Sequence, residues 1–223
     1  MRPFKFAVES FKLPTAIAVR CICAHFLVYS GFRIWLGKNW PALLSLVGKE
    51  LVARRRFVDA DEILECSLEQ HPYHAELLVQ YAFSAHNSAR YQEAIQRWQQ
   101  ARAACPELAT AWAGLATNER ELGKISEASS TIAAALQRFP DDLTVISEAA
   151  RIADRRGAAS EALVLWGRML NSRHAHPDWL QGHLANLILL RRFDDANVEL
   201  HRALSQFPDH NGLLATKGML AMA

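Results

Sequence analysis

The chain has 223 residues, 51% hydrophobic and 22% charged, with a formal net charge of +2. That is the composition of a folded protein, and so even a charge balance singles out no polyanionic partner. Cys21, Cys23, Cys66 and Cys105 have no disulfide-framework or zinc-site spacing, and read as reduced thiols in a cytoplasmic protein.

Residues 1–13 are short, basic and broken by Pro3, and read as a flexible or docking arm. Residues 15–37 are apolar nearly all round, but Arg20, His25 and Arg33 spread over different faces. A buried arginine costs roughly 3 kcal/mol at the centre of a bilayer, so a clean transmembrane span is disfavoured. No small-x-small cleavage site follows, so a signal peptide is not expected. Residues 1–40 carry six cations against Glu9, a net of +5, which leaves about −3 for the rest. Three readings stand for this basic and apolar helical extension. It caps the array behind it, it lies on a membrane surface with its cations toward anionic lipid, or it docks a partner. Cys21-x-Cys23 alone is too little for a metal site.

From Pro41 onward the chain repeats. Pro72, Pro106 and Pro140 lie 34 residues apart, and Pro208 falls two periods later. Five units result: 41–74, 75–108, 109–142, 143–176 and 177–210. The twentieth place is always alanine: Ala60, Ala94, Ala128, Ala162 and Ala196. The eighth is small in four units (Gly48, Ala82, Ala116, Ala150) and Leu184 in the last. Large apolar residues fill the fourth place (Leu44, Leu78, Trp112, Ile146, Leu180) and the twenty-fourth (Leu64, Trp98, Ile132, Trp166, Leu200). Apolar residues three and four apart predict helices, and the small places let two antiparallel helices approach closely. The closing proline ends the second helix. Basic residues gather where each first helix ends, and an acid follows at the nineteenth place: Asp59, Glu93, Glu127, Glu161 and Asp195. Cations at helix C-termini and anions at N-termini explain both.

Trp112, Leu115-Ala116, Ala128 and Pro140 follow the pattern of a known repeat. Residues 41–210 resemble the tetratricopeptide repeat family, in bacterial-type arrays. The resemblance implies an all-α fold, a right-handed superhelical solenoid of stacked antiparallel helix pairs. It also implies that first helices line a concave groove holding a peptide or helix of a protein partner. The family's contact places map onto Lys49 in the first unit and Glu76, Gln80, Phe83, His86 and Asn87 in the second. In the third they give Thr117, Arg120 and Glu121, in the fourth Ser147, Glu148, Arg151, Asp154 and Arg155, and in the fifth Gln181. The chaperone-tail clamp wants lysine and asparagine at the fifth and ninth places of one unit. Ser45 and Lys49 stand there in the first unit, so that ligand is not expected.

Residues 211–223 restart the pattern as a partial sixth unit or terminal helix, offering Leu213, Met219, Leu220 and Met222. Those side chains are expected to dock a partner or another copy, unless the natural chain is longer. No glycine-rich phosphate loop, nucleophile elbow or His-Glu-x-x-His helix is present, so no catalytic residue, cofactor or metal is expected. His174-x-His176 with His183 is the nearest approach to a metal cluster and sits at a turn. No module for reading bases is present, and nucleic acid is not expected. The reading is a non-enzymatic scaffold or adaptor that assembles a multiprotein complex, cytoplasmic or peripheral on the inner face of a membrane. Two alternatives stand: a regulatory arm of an envelope or polysaccharide biosynthesis enzyme, and a membrane-associated assembly factor anchored by residues 1–40.

Overall fold

The computed structural model describes the backbone of residues 30–170 and 176–221, and side chains from residue 40 within those ranges. Residues 1–29, with Cys21-x-Cys23, and also His174 and Met222, lie outside the described residues. The described residues are all helix, turn and connection. The helices are α1 (Ser30–Ala53), α2 (Phe57–Gln70), α3 (Ala75–Asn87), α4 (Tyr91–Ala104), α5 (Ala109–Glu121) and α6 (Ile125–Arg138). They continue as α7 (Leu143–Arg155), α8 (Ala159–Leu170), α9 (Pro177–Leu189), α10 (Phe193–Gln206) and α11 (Asn211–Leu220). First helices begin at Ala75, Ala109, Leu143, Pro177 and Asn211, and second helices at Phe57, Tyr91, Ile125, Ala159 and Phe193, each 34 residues after the last. Helix α1 differs, running unbroken from Ser30 through Pro41. Among the described residues no helix is long and apolar enough to cross a membrane.

Each hairpin turns at the same place. The fifteenth residue adopts positive φ in every unit: Arg55 (59°), Ala89 (59°), Gly123 (76°), Gly157 (71°) and Arg191 (57°). The backbone then reverses within three residues, and the next amide reaches back to the first helix, as in Arg90 N–H to Ala85 O at 2.9 Å. The sixteenth residue, Arg56, Arg90 or Arg192, offers no side-chain cap to the second helix. Instead each guanidinium pairs with the acid three residues on: Arg56–Asp59 at 2.7 Å, Arg90–Glu93 at 2.9 Å and Arg192–Asp195 at 2.7 Å. These three turn cations are therefore matched locally, which screens most of their field. At other junctions a side chain caps the first helix. Asp142 accepts from Thr144 and Val145 N–H, and the His74, His176 and His210 rings accept at α3, α9 and α11.

The chain forms two compact bodies, one ending at Ala111 and the other beginning at Trp112. In the first, α1 packs on α2 and α3, and α3 on α4. Gly48 lies against the Leu64 side chain, which a Cβ at this place would have to push aside. In the second body, α7 packs on α6 and α8, α9 on α8, α10 and α11. All five twentieth-place alanines are fully buried. The large twenty-fourth-place side chains are buried too, Leu64 and Trp98 completely. Each such leucine or tryptophan contributes roughly 2–3 kcal/mol by leaving water. Helix α11 closes the second body through Leu213, which is buried with Leu180, Leu184, Leu187, Leu200 and Ala203.

Candidate protein-interaction face

Within each body, first helices of successive units lie side by side. In the first body α3 rests on α1. In the second, Arg120 Nε of α5 donates to Glu148 of α7 at 2.7 Å, and Asn186 Nδ2 of α9 donates to Asp154 of α7 at 2.7 Å. Helix α11 follows against α9, with the Gln181 side chain lying over Gly212.

These contacts fix which side of α7 is open. At about 3.6 residues per turn, Glu148 and Asp154 stand about 120° apart, one facing α5 and the other α9. Arg151 and Arg155 fall between them and are exposed. Neither makes an ion pair with a described residue. On α9 the same construction holds: Gln181 faces α11, Asn186 faces α7, and the exposed Ala185 and Leu189 fall between. The rotation has the same sense on both helices, and every second helix runs the same way. The two exposed pairs are therefore on one side of the layer.

The residues singled out from the sequence divide into three groups. Arg151, Arg155 and Gln181 are exposed on this face, and Lys49 and Asn87 are exposed on α1 and α3 of the first body. Gln80, Phe83, His86 and Thr117 are half-buried. Phe83 packs edge-on against Trp98 at 5.1 Å, and His86 stands 5.8 Å from Tyr91. Thr117 donates its hydroxyl to the Ala113 carbonyl. Arg120 and Asp154 are already engaged. The Arg120 side chain is 10% exposed and is held by Glu148 and Glu121. Burial disfavours its cation, yet those two carboxylates raise its pKa above the ordinary arginine value. Asp154 accepts from Trp166 Nε1 at 3.1 Å as well as from Asn186, and so ties α7, α8 and α9 together. At the C-terminal end Met219 is 53% exposed, whereas Leu213 is fully buried. Leu213 is thus a core residue and not a docking one: at the third place of its unit it turns inward beside Leu184. Leu220 is half-buried against the same cluster.

The most concentrated polar group was not singled out from the sequence. Arg97 of α4 is buried, and its guanidinium meets Asp61 of α2 at 2.7 Å, the Tyr81 carbonyl at 2.7 Å, and Glu93. It also stacks 3.6 Å over the Tyr81 ring. Arg90 completes the set with a 2.7 Å bond to Asp61. Burial alone would raise the Asp61 pKa, but hydrogen bonds from Arg97, Ser84 and Arg90 outweigh it and hold the carboxyl below its ordinary value. The one signal in the sequence is a charge at the twenty-third place, next to a core tryptophan. The cluster is occupied by its own members and reads as a tie between the first and second units. Among the described residues no group of three His, Cys, Asp or Glu is placed to hold a metal ion.

No protein-family model matches the chain, and no curated protein sequence matches it. Solved structures do. A thermophilic tetratricopeptide-repeat protein of Thermus thermophilus matches at TM-score 0.64 and 18% identity, over 82% of this chain and 100% of its own. YrrB, described as a tetratricopeptide-repeat protein with an unusual peptide-binding site, matches at TM-score 0.61 and 17% identity, over 84% of this chain and 97% of its own. The Cut9-Hcn1 hetero-tetramer of the APC/C matches at TM-score 0.67 and 15% identity, over 82% of this chain and 36% of the matched chain. With its helix pairs recurring every 34 residues, small residues buried at the eighth and twentieth places and these structural likenesses, the chain has the all-α tetratricopeptide-repeat solenoid fold.

Proposed function

We propose that the protein is a non-enzymatic scaffold that binds a peptide or helix of a partner protein on the open side of its first helices. One observation carries this reading. In the second body the first helices form a continuous layer whose polar neighbours satisfy one another, while Arg151, Arg155, Gln181, Ala185 and Leu189 stay exposed along one side. A face of mixed guanidinium, amide and aliphatic groups suits capture of a short segment. The likeness to YrrB and to Cut9-Hcn1, whose descriptions name a peptide-binding site and a complex, supports the same reading.

The test is affinity capture from an extract of the source cells, with quantitative mass spectrometry of wild type against Asn87→Ala, Arg151→Ala and Gln181→Ala. Selective loss of one partner from a surface variant is expected. Unchanged recovery of every partner would move recognition to the termini or to the second helices.

A further inference from the structure

The face can be read further, resting on the function just proposed. Its acids already have partners: Glu148 and Glu121 pair with Arg120, and Asp154, though exposed, accepts from Trp166 and Asn186. Arg151 and Arg155, one turn apart on α7, keep their guanidinium donors open to solvent. Residues four apart on a helix can converge on one group, and two guanidinium forks match a carboxylate in geometry as well as charge. The neighbouring helix presents the opposite chemistry at the same level. Leu189 occupies in its unit the thirteenth place that Arg155 occupies in the preceding one, and is 70% exposed. Ala185 matches Arg151 in the same way. Beyond them, Met219 of α11 is 53% exposed at the ninth place.

We propose that this face selects a partner segment in which an acidic side chain and a large apolar side chain stand about three residues apart. The spacing follows from geometry. Packed helix axes are about 8–10 Å apart, and a segment in the polyproline II conformation, with three residues per turn at about 3.1 Å each, returns every third side chain to the same face about 9 Å on. The carboxylate seats on Arg151 and Arg155, and the apolar side chain covers Ala185 and Leu189 with Met219 at its far edge. Arg120, Arg151 and Arg155 face Glu121, Glu148 and Asp154, so their summed charge is nil. Selection is therefore local and bidentate, not a long-range attraction, and raising salt weakens it only a few-fold.

The experiment pans a random 12-residue displayed-peptide library on the purified protein, then measures selected peptides by fluorescence anisotropy. Selected peptides are expected to share Asp or Glu two to four residues from Leu, Ile, Phe or Trp. The Arg151→Gln/Arg155→Gln double variant is expected to weaken them by about tenfold, as is Asn or Gln in place of the acid in the peptide. Leu189→Ser is expected to weaken them at least about threefold. All three side chains are exposed, and an unchanged melting curve shows that the fold is kept. Peptides that bind wild type and the double variant equally overturn the proposal. If those same peptides lose affinity for Asn87→Ala or Gln181→Ala, the scaffold reading survives without it. If no peptide is enriched, both fall.

Discussion

The hairpin turn offers the cleanest energetic test, because one backbone state is shared by glycine and non-glycine residues. The fifteenth place has positive φ in all five units, yet glycine fills it only at Gly123 and Gly157. A side chain there costs about 1–2 kcal/mol through contact of Cβ with the carbonyl. Glycine in exchange loses more freedom on folding, about 0.5–1 kcal/mol. The balance favours glycine by roughly 0.5–1 kcal/mol. A Cβ built at Gly123 or Gly157 meets nothing within 4 Å, so no clash confuses the comparison. Ala89 is exposed, and its amide bond to His86 O at 2.9 Å is a backbone contact that glycine keeps. Ala89→Gly is therefore expected to stabilise by about 0.5 kcal/mol or more, and Gly123→Ala to destabilise by about 1 kcal/mol. The assay is urea unfolding, backed by amide hydrogen exchange at residues 89–94 and 123–128, since repeat proteins open locally. Loss of stability in Ala89→Gly, or no change in Gly123→Ala, would refute the reasoning.

Three further outcomes are expected. Asp61→Asn leaves Arg97 buried without its main carboxylate and is expected to cost about 3 kcal/mol in thermal or urea unfolding, whereas Asp59→Asn, at a less buried pair with Arg56, should cost under about 1 kcal/mol. The depressed Asp61 pKa means that this stabilisation is full above the ordinary 3.8 and is lost as pH falls through the folded value, and acid unfolding of wild type should show it. His183 lies below its ordinary 6.5, chiefly because burial disfavours the cation, so the unfolded chain binds the proton first. Stability should thus be full above about pH 6.5 and fall as pH drops toward the folded value, and His183→Gln should flatten a melting profile between pH 5 and 7.5. Asp154→Ala frees the Trp166 indole and the Asn186 amide together and is expected to cost about 1–3 kcal/mol, with a change in near-ultraviolet circular dichroism from Trp166.

How much of this was legible in the chain follows from what each place demands. The helix starts and the buried alanines were legible, because a 34-residue recurrence of small and large residues constrains packing whatever the decoration. The inward turn of Leu213 was legible as well: the third place is apolar in every unit and buried at Leu77, Ala111 and Val145, and Leu213 follows it by packing with Leu184 and Leu200. Arg120 and Asp154 stood at family contact places, and nothing in a one-dimensional pattern says that Glu148 or Asn186 reaches across from the next unit to occupy them. Arg97 was overlooked for the same reason. Its partner Asp61 is 36 residues away, and burial of a charge is decided by that pairing and not by the local period.

The central claim is that recognition takes place on the open side of the first helices. Hydroxyl-radical footprinting of side chains, with and without a co-purified partner or selected peptide, tests it most directly. Leu189, Val164 and Val198 have closely similar exposures of 70%, 64% and 69%, the first on a first helix and the other two on second helices. The account predicts protection of Leu189 and Met219, with Val164 and Val198 labelled as before. Protection of Val164 and Val198 with Leu189 still fully reactive would contradict it.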